Sequence, residues 1–209
     1  MKRARAPEQK AARRQALLSA AARCFVDNNH QLPSAAQVAE AAQVAKGTVY
    51  LYFSTKEAIF LGLLGEHLQQ LLSAIRQPVR EESIARRLTA RVLDYIEAEP
   101  SFLPLSAQLQ GTLQQNLDQP MLMEFKRQLA QNLIDSGHWL DQTYKLQAGT
   151  GSRSLLHCYA AMVGLWQLLQ WPPVLADQAE SPDFEVLRRQ FGDEIQWSFE
   201  RIWSTTPRQ

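Results

Sequence analysis

The 209-residue sequence is poor in the residues and patterns that mark most enzymes. It has two cysteines, Cys24 and Cys158, far apart and each within an apolar helical pattern. Neither has metal-type spacing, and both are expected as buried, reduced thiols. The four histidines, His30, His67, His138 and His157, are scattered. There is no HExxH, GxSxG, Gly-rich phosphate loop or paired-carboxylate signature, so no catalytic residue, metal site or cofactor is assigned. Strand-like alternation and internal repeats are also absent, which leaves an all-α fold class. The longest uninterrupted apolar run, Cys158–Trp166, has nine residues and is too short to span a bilayer. No apolar stretch follows the basic N-terminus, so no signal peptide is read. A soluble cytoplasmic chain without membrane contact is the expectation.

What is present is an ample apolar fraction, 45%, and an uneven charge. The net charge is only +1, which by itself points to no partner. Residues 1–56, however, carry nine Lys/Arg and three acids, a net +6, and residues 57–209 carry 13 and 18, a net −5. That asymmetry fits an N-terminal module for a polyanion and a neutral-to-acidic body.

The stretch Ser34–Lys56, SAAQVAEAAQVAKGTVYLYFSTK, reads as two short helices joined by a tight turn, Ala42-Gln43-Val44-Ala45. Val38, Ala39 and Ala42 share one face of the first helix, and the small Ala39 lets the second cross closely. The second, Lys46 to Tyr52, turns Val49 inward and Lys46, Thr48, Tyr50 and Leu51 outward. Donors of that kind on a short helix suit phosphates and base edges in a major groove. Before it, residues 1–7 read as an irregular basic arm that could lie along or in a groove. A helix is expected from about Glu8 to Asp27, with Leu17, Ala21, Cys24 and Phe25 inside and Arg13, Arg14 and Arg23 outside. Asn28-Asn29-His30 closes it. Ser34 is a plausible N-cap for the next helix, and Ser54-Thr55-Lys56-Glu57 opens another by the same chemistry.

The order Phe25, Ser34, Val38-Ala39, Ala42-Gln43-Val44, Lys46-Gly47-Thr48-Val49-Tyr50, Tyr52-Phe53 and Ser54-Thr55-Lys56-Glu57 resembles the N-terminal DNA-binding domain of the TetR family of bacterial transcriptional regulators. The resemblance covers about residues 10–60 and is most specific in GTVYLYFSTKE. It implies a homodimer whose variable C-terminal domain binds a small effector that weakens the grip on a pseudo-palindromic operator. It also implies a DNA-binding set: Ser34, Lys46, Gly47, Thr48, Tyr50, Tyr52 and Lys56. Lys46 and Thr48 would face the groove, Tyr50 and Tyr52 would brace against phosphates or bases, Gly47 would let the backbone approach, and Lys56 would meet a phosphate. Each has a plainer alternative: Tyr52 as core, Gly47 as relief of crowding, Lys56 as a solvated charge. Two positions depart from the family pattern. Gln43 stands where a turn Gly is usual, costing roughly 1 kcal/mol if φ is positive there. Ala45 stands where a Ser or Thr cap is usual, with about 1 kcal/mol of capping lost.

The rest reads as helix after helix. Lys56 to Gln77 is the candidate link between a DNA-binding domain over 1–56 and a helical effector-binding and dimerisation domain over 57–209. Further helices are expected at Ile84–Glu99, Phe102–Leu117, Met121–Ser136 with Gly137 as its stop, a short piece within His138–Ala148, Ser152–Trp171, and Phe184–Trp203. The helix over Ser152–Trp171 is apolar almost all round, and Gly164 would admit a close neighbour. The last two helices of two copies would make a four-helix dimer interface. Phe102, Leu109, Trp139, Tyr159, Met162 and Trp166 are the candidate pocket residues, and their character implies a hydrophobic or aromatic effector. His157 is read as a core histidine rather than a ligand contact. The alternatives are a DNA-binding regulator controlled without a small ligand, and an all-α enzyme or carrier.

Overall fold

The structure is a computed structural model that describes residues 5–77, 83–109, 111 and 116–204. Its elements are α1 (Arg5–Asp27), α2 (Ala35–Ala41), α3 (Lys46–Tyr50), α4 (Lys56–Arg76), α5 (Ile84–Ala98), α6 (Phe102–Gln108), α7 (Gln119–Tyr144), α8 (Thr150–Leu169) and α9 (Phe191–Ser204). Two 3-10 turns, Pro173–Gln178 and Pro182–Leu187, lie between α8 and α9. No β-strand element occurs among the described residues. The all-α reading holds.

The chain divides into two compact units. One comprises residues up to Leu68 with Glu99–Gln128, and the other Gln69–Ala98 with Leu129–Gln209.

In the first unit α1 packs on α2 and α2 on α3, with Leu17, Leu18, Ala21 and Phe25 of α1, Val38 and Ala39 of α2, Val49 of α3, and Ile59 and Phe60 of α4 all buried. The Phe25 and Phe60 rings lie 5.7 Å apart. The helix over α1 begins at Arg5, earlier than the irregular arm expected over 1–7. Pro7 falls in its first turn, where a missing N–H removes no helix bond. Residues 1–4 of that arm lie outside the described residues. Cys24 is half-buried rather than buried. Arg14, expected outside, is half-buried: Nη1 pairs with Glu66 at 2.5 Å and the guanidinium sits 5.4 Å over the Phe53 ring.

In the second unit α9 packs on both α5 and α8, burying Ile195 and Phe199 with Leu88, Val92, Leu155 and Met162. The expected stop at Gly137 is absent: α7 runs unbroken for 26 residues, through Gly137 and the piece expected within His138–Ala148. Gly137 serves a close crossing instead, since a Cβ there would lie 2.2 Å from the Ser152 nitrogen. Asp118-Gln119-Pro120, read as the end of the helix before, opens α7, with Asp118 Oδ1 accepting from the Met121 N–H at 2.8 Å. Before it, α6 is α-helical only to Gln108, short of the expected Leu117. Residues 110 and 112–115 of that expected helix lie outside the described residues.

The last helix starts at Phe191, seven residues later than expected. Ser181 caps the turn opened by Pro182, and Arg188 (φ −89°, ψ 42°) leaves helical geometry. Its guanidinium is held by the Glu180 carbonyl at 3.2 Å and carboxylate at 3.1 Å. His157 is exposed; the buried histidine is His67. α4, 21 residues long, is apolar enough on average to match a membrane span by length and composition, but 61% of that stretch is buried in the fold, as in a core helix.

Candidate nucleic-acid interface

The interface is built on two short helices with well-made ends. Ser34 starts α2: its Oγ accepts from the Gln37 N–H at 3.3 Å, and its own N–H donates to Gln37 Oε1 at 2.9 Å. This closes a capping box, so the Ser34 hydroxyl is engaged with its own helix. At the other end Gln43 takes φ +55°. The Gln43 N–H donates to the Glu40 carbonyl at 3.0 Å and the Val44 N–H to the Ala39 carbonyl at 2.9 Å. These are the two bonds of a Schellman ending, with Gln43 in the position that favours glycine.

α3 follows without a side-chain cap. Ala45 has the extended conformation of a cap residue (φ −66°, ψ 144°) but no oxygen to offer. The five-residue helix buries Val49 completely and exposes Lys46, Gly47, Tyr50 and Leu51, with Thr48 half-exposed. Tyr50 is 48% and Leu51 77% exposed, a large apolar and aromatic surface for so short an element. Lys46 Nζ lies 5.9 Å from the Tyr50 ring centroid, one turn along the same face. A Cβ added to Gly47 would meet nothing within 4 Å, so crowding inside the chain does not require this glycine.

After α3 the chain turns at Phe53, which is buried, and α4 begins. The cap oxygen there is Thr55 Oγ1, accepting from the Ala58 N–H at 3.1 Å. Lys56 is exposed beside it, and Glu57 behind it is buried. Tyr52 is half-buried and lines an open recess of about 720 Å³ with Gln9, Lys10, Ala12, Arg13 and Ala16 of α1. Lys10 and Arg13, both exposed, therefore stand beside Tyr52. They were missed as site residues because only the folded chain brings α1 beside Tyr52. Their three-residue spacing on one face of α1 was the available signal.

The candidate pocket residues are divided between the units. Phe102 and Leu109 are buried in the first, with Phe102 against the His67 ring at 5.7 Å. His67 Nε2 and Ser101 Oγ are 2.9 Å apart, and burial lowers the His67 pKa from 6.5 to about 4. Trp139, Tyr159, Met162 and Trp166 belong to the second. Met162 is buried on α8 with Tyr159 and Trp166 half-buried, and Trp139 lies 4.8 Å under the Arg87 guanidinium. Buried Arg87 also donates from Nη2 to the Ile75 carbonyl at 2.9 Å and to the Gln77 carbonyl, which closes the C-terminal end of α4.

Comparison with known proteins places these features. The chain is similar to a Bacillus subtilis (strain 168) fatty acid metabolism regulator protein, 29% identical over 86 residues, 41% of this chain and 44% of that protein. It is also similar to the HTH-type transcriptional activator FasR of Mycolicibacterium smegmatis (strain ATCC 700084 / mc(2)155), 37% identical over 89 residues, 41% of each chain. Each match spans less than half of the curated relative's length. Among solved structures, the fatty acid degradation regulator FadR of Bacillus halodurans shares the fold at TM-score 0.57 and 16% identity, covering 90% of this chain and 93% of that one. FadR of Bacillus subtilis in complex with stearoyl-CoA does so at 0.53 and 18%, covering 90% and 96%. The family model for bacterial regulatory proteins of the tetR family matches residues 17–63, and the one for the tetracyclin repressor-like C-terminal domain matches residues 64–204. The chain thus belongs to the tetR family of bacterial transcriptional regulators.

Proposed function

We propose that two copies of this chain bind a pseudo-palindromic operator through α3, repress transcription there, and let go when an effector with a long apolar chain binds. The observation that carries the DNA half is the outward face of α3: Lys46, Gly47, Tyr50 and Leu51 exposed over a fully buried Val49. Thr48 and Tyr52 flank that face, Lys56 stands at the start of α4, and Ser34 serves it by capping α2. Lys10 and Arg13 add positive charge on α1 beside Tyr52.

The dimer would form through α8 and α9, where Leu168 is 65% and Trp197 58% exposed and Gly164 faces open space. Exposed apolar residues of that size favour a partner over water. The effector class is taken from the stearoyl-CoA held by the FadR relative. A second reading, activation rather than repression, is favoured by the likeness to the activator FasR.

The test is a mobility shift with DNA from upstream of the protein's own gene, at several salt concentrations, with and without stearoyl-CoA. Lys10, Arg13, Lys46 and Lys56 are four exposed cations per head and eight per dimer. If each meets one phosphate, log K should fall against log salt with a slope of about −7. Stearoyl-CoA should release the DNA. Binding that is indifferent to salt would remove the DNA reading, and binding indifferent to stearoyl-CoA would remove this effector class. A reporter driven by the bound promoter separates repression from activation.

A further inference from the structure

The sequence offers α4 as the candidate link between the DNA-binding domain and the body. The chain in fact passes between the two compact units three times, after Leu68, after Ala98 and after Gln128, and the segment Glu99–Gln128 belongs to the unit that holds α2 and α3. Two hydrogen bonds fasten this segment to the DNA-reading elements. Gln108 Nε2 donates to the His30 carbonyl at 2.7 Å, and Asn116 Nδ2 donates to Glu57 Oε1 at 3.0 Å.

Both acceptors sit at sensitive places. His30 has φ +61° in the turn between α1 and α2, with its ring 5.4 Å from that of Phe25. Glu57 lies in the first turn of α4, next to Lys56, and is only 4% exposed. A carboxylate so placed needs a donor. The two bonds therefore reach the chain in the turn that leads to α2 and in the first turn of α4, which follows α3. Helices of seven and five residues are too short to hold an orientation by themselves and take it from what they pack on and from their flanks. The segment does not depend on these bonds for its own packing, since Phe102, Leu103, Leu105 and Leu109 are buried.

We propose that Gln108 and Asn116 are positioning residues for DNA recognition. They hold the two ends of the α2–α3 pair, so that α3 meets the groove in one orientation. The inference rests on α3 being the DNA-contacting helix.

The test uses the full-length chain, a duplex that the wild-type protein selects from a random pool, and an unrelated duplex of the same length. Gln108→Ala and Asn116→Ala should each weaken binding to the selected duplex by about 3- to 10-fold. Binding to the unrelated duplex should stay within about twofold, because it rests on phosphate charge and not on base edges. Asn116→Asp should be worse, since it faces one carboxylate with another. Combining it with Glu57→Gln should restore binding, because donor and acceptor are then exchanged across the same gap. The proposal is overturned if the variants bind the selected duplex as wild type does, if both duplexes lose affinity together, or if the exchanged pair is no better than Asn116→Asp alone. A wild-type protein that selects no duplex overturns the reading of α3 and this proposal with it. Selection by the wild type with unaffected variants overturns this proposal alone.

Discussion

Gly137 and Gly151 meet backbone to backbone in the packing of α7 on α8. A Cβ on Gly137 would lie 2.2 Å from the Ser152 nitrogen, and one on Gly151 would lie 2.3 Å from the Gly137 carbonyl oxygen. One turn further along α7, the buried Asp141 carboxylate accepts from the Gly149 and Gly151 N–H groups, each at 2.7 Å. It thereby caps the start of α8, where the positive end of the helix dipole favours it. Backbone atoms cannot swing aside as a side chain can. Gly137→Ala or Gly151→Ala should therefore cost about 3 kcal/mol or more. For a chain of this size that is a fall in Tm of roughly 6–12 °C, to be read by calorimetry. The double variant should lose less than the sum, because one separation of the helices relieves both clashes.

That pair also shows where sequence reading stops. A glycine in a helical pattern reads as an end when its neighbours in space are unknown, and Gly137 was read so. The helix-turn-helix was legible because its determinants are local: Ser34 three residues before Gln37, Val38 and Ala39 on one face, Val49 alone turned inward. The strain at Gln43 and the empty cap at Ala45 were legible for the same reason. Lys10 and Arg13 beside Tyr52, and Gln108 on His30, were not, because they join residues far apart in the chain. The start of α9 failed for a mixed cause. Phe184 and Leu187 continue its apolar spacing, but Pro182 and the Arg188–Glu180 contacts keep that piece in a 3-10 turn.

Gln43, at φ +55°, should be improved upon by the residue it replaces in the family pattern. Gln43→Gly removes the left-handed strain and should stabilise the protein by a few tenths to about 1 kcal/mol, partly offset by the freer unfolded chain. Ala45→Ser places a cap oxygen on a backbone already in cap geometry and should add about 1 kcal/mol. Urea unfolding should show both as a higher midpoint with an unchanged slope.

His67 should give the protein an acid-sensitive stability. Burial lowers its pKa from 6.5 to about 4. The folded state therefore resists protonating it while the unfolded state does not. Its contribution is present above pH 6.5 and is lost as pH falls toward 4 and below. The full difference corresponds to about 3 kcal/mol. Stability measured by urea titration between pH 7 and 4 should decline with this dependence. His67→Gln, which keeps a polar group near Ser101 without a titrating ring, should flatten it.

The two thiols should differ in reactivity. Cys158 is buried and its pKa is raised to about 12 by that burial. Cys24 is half-buried, its pKa also raised, first by burial and then by the charge of Asp27. The thiolate is the reactive species. Iodoacetamide at pH 8 should therefore label Cys24 slowly and Cys158 only after unfolding, as peptide mass spectrometry would show.

Gly47 separates what the fold needs from what DNA needs. It lies inside a five-residue helix, where glycine costs about 1 kcal/mol relative to alanine. Nothing within the chain occupies the space a Cβ would take. Gly47→Ala should thus raise the stability of the free protein by up to about 1 kcal/mol. On DNA the same methyl would stand between the α3 backbone and the groove. A loss of about 3 kcal/mol of binding, near a hundredfold in Kd, is the expected scale for a clash of that kind. Thermal unfolding and a mobility shift on the same preparation provide the check. A variant both more stable and a poorer DNA binder places the partner against Gly47. One that binds as well as wild type would mean that the backbone at α3 does not approach DNA closely.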